Sequence, residues 1–339
     1  MTEQIQSEQI QREPAQAGPA PGEPISKEVE HRITVAAPAA EIYRLIAEVE
    51  NWPLIFPPTV HVEYLERQPV EERIQIWATA NNEAKTWISR RELDPEALRI
   101  VFRQEKSQAP VGAMSGTWLI EPIAAQECVV HLLHEYRAVD ADPGKLTWID
   151  QAVDRNSRTE LAALKINAER TIGSAELLLS FEDSVVMAGS AQDAFDFINE
   201  AQLWSQRLPH VARVDLQEDT PGLQWLAMDT RAKDGSTHTT RSVRVTFAPW
   251  KIIYKQIQVP ALMTLHTGRW TFVETGAGEV TVSSQHTVSI NEANIAKVLG
   301  DEAGLAEAKA YVQTALSTNS LATLGHARTY AESRREPKP

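Results

Sequence analysis

The chain has a single cysteine, Cys128, among its 339 residues. One thiol can form neither an intramolecular disulfide nor a thiolate metal cluster, and such usage is typical of a reducing compartment. The sequence begins Met1-Thr2-Glu3-Gln4, without a basic segment followed by an apolar one, and no apolar run approaches the length of a membrane-spanning helix. We therefore expect a soluble, cytoplasmic protein with no membrane partner.

Basic residues are also scarce. The 33 lysines and arginines stand against 46 aspartates and glutamates, a formal charge of −13, which argues against nucleic acid as a partner. The sequence has no glycine-rich phosphate loop, no HExxH, no nucleophile elbow and no clustered metal ligands. We expect neither a metal nor another cofactor, and nothing supports nucleotide chemistry or covalent catalysis.

What the sequence does contain is an internal repeat. A constant shift of 152 residues pairs Trp52 with Trp204 and His134 with His286, and it also pairs Trp118 with Trp270 and Phe102 with Tyr254. One shift that pairs rare residues repeatedly indicates a duplicated domain. We predict domains at 27–172 and 173–333, between a disordered tail at 1–26, which is rich in proline and poor in apolar residues, and a frayed end at 334–339.

Each copy has the same predicted order of elements. In the first copy, a strand at 29–35 precedes a helix that begins near Pro38. Strand-like runs follow at about 60–66, 72–79, 84–93, 98–106, 114–121 and 128–138. A long helix is predicted from Pro143 to Arg170, with apolar residues at helical spacing.

This order resembles the helix-grip fold of the START-like superfamily, an α+β fold in which a curved antiparallel sheet surrounds a long C-terminal helix and an internal cavity. Two tandem copies, with the segments NWPLIFP, KTWISRRELDP and DRNSRTELAALK, resemble the di-domain aromatase/cyclases of bacterial type II polyketide synthases. The resemblance extends from about residue 27 to residue 330.

Alternation along the strands predicts which side chains enter the cavity. On the strand at 84–93, Arg91 shares a face with Trp87 and Ser89. In the second copy we place the corresponding arginine at Arg241, on the face of two valines. An arginine at the rim, paired with a carboxylate, is the structural alternative for both. In related single-domain cyclases the arginine of Trp-x-Ser-x-Arg lies in the pocket and is important to activity, which implies that role for Arg91.

Histidines repeat in the same way. His134 and His286 are predicted to point inward, as is His266, whereas His131 faces solvent. A single inward histidine is often a hydrogen-bonded core residue, but one at the same position of two cavity-forming copies is a candidate catalytic group.

The remaining candidates come from the resemblance. It places a polar residue of the closing helix in the pocket, which suggests Asp154, although Asp154 and Arg158 are also spaced for a surface ion pair. Pro58-Thr59 stands where some single-domain members carry a pocket tyrosine, so no tyrosine of this loop is expected to act. The predicted substrate-binding residues are Trp52, Trp87, Ser89, Phe102, Trp118, Tyr136, Trp204, Tyr254, His266 and Trp270.

The resemblance implies a substrate and partners. The substrate would be a linear poly-β-ketone on an acyl carrier protein, with other type II polyketide synthase subunits as further partners. Di-domain relatives act on chains reduced at C9, form the first ring between C7 and C12, and aromatise it by loss of water. Arg91 or Arg241 would stabilise the developing oxyanion, and His134 or His286, titrating near neutrality, would move protons.

Two questions stay open at this stage. A non-catalytic START-like carrier for an apolar ligand would also have a cavity, but with a mostly apolar wall. The sequence also does not identify which copy is catalytic, and one copy could serve a structural or docking role.

Overall fold

The computed structural model describes residues 26–80, 83–170, 175–231, 235, 237–276 and 278–334. The predicted tails and the predicted domain boundary fall mostly outside these ranges. Two tail residues inside them are ordered. Ser26 begins the first strand, and Arg334 pairs with Asp193 at 2.8 Å, so the tail predictions are wrong at these two positions.

In the part of the chain that the structure describes, the N-terminal domain contains seven strands and three α-helices. Its elements are β1 (Ser26–Val35), α1 (Ala39–Ala47), α2 (Trp52–Ile55), β2 (Thr59–Arg67), β3 (Glu71–Ala80), β4 (Glu83–Asp94), β5 (Arg99–Gln104), β6 (Val111–Ala124), β7 (Glu127–Ala138) and α3 (Pro143–Arg170). The Asp142 carboxylate accepts hydrogen bonds from the backbone N–H groups of Gly144 and Lys145, which fixes the start of α3.

The C-terminal domain repeats this order and adds one short helix. Its elements are β8 (Leu178–Ala188), α4 (Ala191–Asn199), α5 (Trp204–Arg207), β9 (Val211–Thr220), β10 (Leu223–Arg231), β11 (Thr237–Phe247), β12 (Lys251–Gln258), β13 (Met263–Gly276), β14 (Glu279–Ile290), α6 (Ile295–Leu299) and α7 (Leu305–Ser333). Ser190 is the N-cap residue of helix α4, and its hydroxyl accepts a hydrogen bond from the Asp193 N–H.

Both sheets are antiparallel and have the same topology. The strand order is β1-β7-β6-β5-β4-β3-β2 in the first domain and β8-β14-β13-β12-β11-β10-β9 in the second. The first strand therefore pairs with the last, and the long helix, α3 or α7, packs across the concave face. The tandem helix-grip fold predicted from the sequence is confirmed. Among the described residues, no helix combines the length and apolar character needed to cross a bilayer.

The domains meet through the outer face of the second sheet. A buried apolar cluster joins Val60 and Trp77 of the first domain to Leu223, Val243 and Val245 of the second. Both faces of β11 are therefore covered, one by its own domain and one by the neighbouring domain.

Candidate active site

A cavity of about 490 Å³ lies in the N-terminal domain between the concave sheet and α3. Seven of the predicted site residues line it. They are Trp52, Trp87, Ser89, Arg91, Phe102, Trp118 and His134. The strand alternation in this domain thus identified the cavity face correctly.

Arg91 is buried in the wall of this cavity, with 2% of its surface exposed. Its guanidinium donates to the carbonyl oxygens of Ile46 at 3.1 Å and Ala47 at 3.2 Å, at the end of α1, and lies 5.3 Å from the Trp52 ring. Nη1 is 3.3 Å from the buried Glu72 carboxylate. Burial lowers the pKa of Arg91, but an arginine remains charged at neutral pH because its ordinary pKa is so high.

His134 lies on β7 and presents its ring to the cavity, edge-on to Phe102 with centroids 5.6 Å apart. Its Nδ1 is buried and has no hydrogen-bond partner among the described residues. Burial lowers the pKa of His134 to about 4. The sequence-based expectation of a group that titrates near neutrality is therefore wrong, since this imidazole is neutral at pH 7 and free to accept a proton.

Glu160 is a cavity residue that the sequence reasoning missed. It lies on α3 and lines the cavity together with Val153 and Ser157. Burial raises the pKa of the Glu160 carboxyl to about 7. The sequence did contain a signal for Glu160. One face of the helix is lined by Val153, Ser157, Glu160 and Leu164, so an acidic residue lies on its apolar stripe.

The cavity therefore contains an imidazole that favours the neutral form and a carboxyl that favours the protonated form. Ordinarily a carboxyl loses its proton well before a histidine does. Here burial reverses the order, with His134 at about 4 and Glu160 at about 7. At intermediate pH one cavity thus holds a proton acceptor and a proton donor, as acid–base catalysis requires.

The interior of the C-terminal domain is occupied differently. His286 Nδ1 lies 2.9 Å from the Tyr254 hydroxyl and 3.0 Å from His266 Nε2, and its Nε2 lies 2.8 Å from the Ser320 hydroxyl. Ser284 joins this network at 3.2 Å from His286 Nε2. Burial lowers the pKa of His286 to about 4 and that of His266 to about 3. These side chains contact one another across the space between β14 and α7, and His266 Nδ1 is left without a hydrogen-bond partner among the described residues.

Three differences between the domains account for the network. At equivalent positions Phe102 is replaced by Tyr254, Met114 by His266, and Leu132 by Ser284. Phe102, Met114 and Leu132 line the cavity of the first domain, whereas their counterparts carry the polar atoms that bond to His286. His286 and His266 are inward, as predicted, but they point into a packed polar core. Trp204 and Trp270 belong to the apolar core of the same domain.

Arg241 does not point inward, contrary to the prediction. It is exposed, and the buried guanidinium of β11 is that of Arg244, which donates to the Ile198 carbonyl at 2.8 Å and lies 5.3 Å from the Trp204 ring. The apolar face of β11 that includes Arg241 and Val243 packs against the N-terminal domain. The hydrophobic pattern therefore marked the face that contacts the other domain and not the face toward the interior of its own domain.

Two further predictions about the pocket are wrong. Asp154 is half exposed on α3, where it pairs with Arg158 at 2.8 Å and with His31 at 2.9 Å. Tyr136 is buried and does not line the cavity; its hydroxyl donates to Asp150, and its ring packs against Ile149 and Val153, which do line it. Asp154 and Arg158 therefore form the surface ion pair that their spacing offered as the alternative.

A cleft of about 260 Å³ between the domains adjoins the cavity. The residues that line both spaces are Glu83, Lys85, Thr86 and Gln108. The second domain contributes Gln217, Thr220 and Trp225 to the far wall of the cleft. The cavity thus opens beside a surface that both domains build.

Family models described as polyketide cyclase/dehydrase and lipid transport match residues 26–169 and 187–304. A granaticin polyketide synthase bifunctional cyclase/dehydratase from Streptomyces virginiae is 51% identical over 301 residues, which span 88% of this chain and 97% of that protein. The chain belongs to the polyketide cyclase/dehydrase family. This cyclase is also 44% identical to the actinorhodin polyketide synthase bifunctional cyclase/dehydratase of Streptomyces coelicolor, over 91% of its own length and 96% of the relative.

Solved structures agree with this membership. The di-domain aromatase/cyclase BexL superposes on the cyclase with a TM-score of 0.83 and 61% identity, covering 91% of this chain and all of BexL. The di-domain aromatase/cyclase StfQ gives a TM-score of 0.80 and 35% identity over 90% of this chain and 99% of StfQ. The cyclase is an enzyme of the cyclase/dehydratase type, so the alternative of a non-catalytic carrier is wrong.

Proposed function

We propose that the cyclase closes and dehydrates the first ring of a poly-β-ketone inside the N-terminal cavity. The observation that carries this proposal is that His134 and Glu160 line the same cavity between the sheet and α3. In this cavity the pKa of the Glu160 carboxyl lies above that of the His134 imidazole. In the equivalent space of the second domain, His286 is bonded to Tyr254, His266 and Ser320.

Ring closure begins at a methylene between two ketones. The neutral imidazole of His134 removes one of its protons through the unpartnered Nδ1. The resulting enolate carbon attacks a distant ketone carbon of the same chain, and the electron pair of that carbonyl moves to its oxygen, which takes up a proton. The positive charge of Arg91 at the wall stabilises the enolate and alkoxide oxygens.

Dehydration follows at the new hydroxyl. The protonated carboxyl of Glu160 donates to this oxygen, which leaves as water, while a base removes the neighbouring proton and the C–H electron pair becomes the new double bond. On a chain reduced at C9, a second loss of water at the C9 hydroxyl and enolisation of the remaining ring ketone then make the ring aromatic. The alkoxide takes its proton from the His134 imidazolium, and the neutral His134 is then the base that removes the neighbouring proton during dehydration. The imidazolium returns that proton to the Glu160 carboxylate through solvent, so both groups regain their starting state.

Positioning decides which carbons meet. A poly-β-ketone is already reactive, so holding it in one folded conformation supplies both rate and regiochemistry. Trp52, Trp87 and Trp118 form flat apolar walls for such a chain. From the family resemblance we propose closure between C7 and C12 of a chain reduced at C9.

The substrate is proposed to arrive on an acyl carrier protein. The cavity adjoins the interdomain cleft, whose amide and hydroxyl side chains, Gln108, Thr86 and Gln217, can hydrogen-bond to an amide-rich linker. The reactive part of the chain would then lie in the cavity while its tether leaves through the cleft.

A pair of tryptophan substitutions on α3 tests the location of the reaction. Ala152 lines the cavity, whereas Ala162 of the same helix is exposed. With a carrier-bound chain as substrate, A152W should abolish ring closure because the indole occupies the substrate's space, and A162W should behave like wild type. Normal products from a folded A152W would contradict the proposal.

A further inference from the structure

Lys255 reaches from the C-terminal domain into the N-terminal domain. It lies on β12, and its Nζ donates to the backbone carbonyl oxygens of Pro53 at 2.7 Å, Phe56 at 2.8 Å and Thr59 at 3.0 Å. Only 4% of Lys255 is exposed. An ammonium group has three N–H donors and no acceptor, so three carbonyls satisfy it completely.

The three carbonyls lie along the turn from α2 into β2, where the Thr59 N–H also donates to the Phe56 carbonyl at 3.1 Å. Helix α2 has only four residues, and the last carbonyls of a helix have no intrahelical donor. The second domain thus adds a hydrogen-bond donor to three carbonyls along the turn from α2 into β2.

The same segment forms part of the wall of the proposed active cavity. Trp52, Phe56, Pro58 and Thr59 line the cavity with their side chains, while the backbone between them is bound by Lys255. A shift of this backbone would displace the wall on which the substrate lies.

The contact has no counterpart in the opposite direction. The repeat pairs Lys255 with Arg103 of the first domain, and Arg103 is exposed. The shared sheet position has therefore become a buried interdomain contact in the second copy alone.

We infer that Lys255 is a positioning residue for the cyclisation, through which the C-terminal domain holds the Trp52–Thr59 wall of the N-terminal cavity. This inference rests on the proposed function for its effect on products. The catalytic unit is then the pair of domains, although the reacting groups lie in one of them.

Lys251 provides a matched control. It also lies on β12 and also crosses to the first domain, where its Nζ pairs with the Glu63 carboxylate. Glu63 is on β2 but does not line the cavity. Replacement of either lysine by methionine removes one interdomain cation, but only K255M releases the cavity wall.

The experiment compares K255M, K251M and wild type as full chains. In hydrogen exchange, K255M should lose protection at the amides that residues 53–60 contain, those of Leu54, Ile55, Phe56, Thr59 and Val60, with the rest of the N-terminal domain unchanged, and K251M should not. With a carrier-bound poly-β-ketone, K255M should lower kcat/KM by about tenfold to a hundredfold. It should also raise the fraction of products whose ring has closed between the wrong carbons. Global destabilisation alone would lower the amount of active enzyme without changing the product ratio.

Wild-type exchange at residues 53–60 and a wild-type product ratio in K255M would overturn the inference. If K255M does not fold, K255Q is measured in the same way, because glutamine keeps two N–H donors on a shorter side chain. K255Q should give exchange and a product ratio between those of wild type and those expected for K255M. Wild-type values in K255Q would also overturn the inference. Exchange loss in K255M together with normal products from A152W would instead indicate that the wall is held as described but that the cavity is not where the reaction occurs.

Discussion

Arg91 and Arg244 occupy the same position in the two domains. Each guanidinium lies 5.3 Å from a tryptophan ring, Trp52 or Trp204, and each donates to an isoleucine carbonyl at the end of the first helix of its domain. The shared geometry indicates a shared structural role, which anchors that helix to the sheet. Only Arg91 also lines the cavity, so comparison of the two separates structure from chemistry.

The first prediction concerns this pair. Removal of Arg91 alone would leave the buried Glu72 with only the Arg67 guanidinium, 3.8 Å away, at a cost of up to about 3–5 kcal/mol. The double variant R91M/E72Q removes both charges and should fold. We expect it to lower the cyclisation rate by about 100-fold, the size of effect typical for loss of an oxyanion-stabilising group.

The control for this variant is R244M, which should lose stability but cyclise within about threefold of wild type per folded molecule, a margin close to 0.6 kcal/mol. Chemical denaturation gives the folded fraction, and product formation from a carrier-bound chain gives the rate. Equal losses of rate in the two variants would limit Arg91 to the structural role.

The second prediction is a pH profile. His134 acts as a base only when neutral, so kcat/KM should rise as the pH increases through about 4. Glu160 acts as an acid only when protonated, so kcat/KM should fall as the pH increases through about 7. In E160Q the limb near pH 7 should disappear while the maximum rate falls. An unchanged limb near pH 7 in E160Q would assign it to another group.

The third prediction concerns stability. Burial raises the pKa of Glu160 from 4.5 to about 7, so the folded state binds the proton more tightly than the unfolded state. The contribution of this group to stability is full below about pH 4.5 and is lost as the pH rises through 7. E160Q should therefore gain in Tm relative to wild type between pH 5 and pH 8, by about 3 °C. A constant Tm difference across this range would show that Glu160 is not desolvated.

Sequence patterns predicted the fold well because strands of the first domain that lie away from the second domain, such as β7, have one buried and one more exposed face. His131 and His134 illustrate this, since three residues on one strand place them on opposite faces, and the structure agrees. The same reasoning failed for Arg241 because β11 is covered on both sides. Burial against a second domain gives the same apolar pattern as burial in a core.

The site was predicted only in part because its chemistry depends on tertiary surroundings. Glu160 resembles any helix carboxylate until the cavity removes its water, and Lys255 resembles any strand lysine until another domain offers three carbonyls. The filled interior of the second domain arises from contacts among side chains on β12, β13, β14 and α7, which a pairwise repeat cannot reveal.

The most direct test of the account is a comparison of H134Q with H286Q. Both substitutions replace a buried histidine at the same strand position, but only His134 faces the cavity, while His286 is bonded to Tyr254 and Ser320. We predict that H134Q lowers ring closure of a carrier-bound poly-β-ketone by about 100-fold or more, whereas folded H286Q keeps its rate and products. Loss of ring closure in folded H286Q, with H134Q unaffected, would contradict the assignment of the active site to the N-terminal domain.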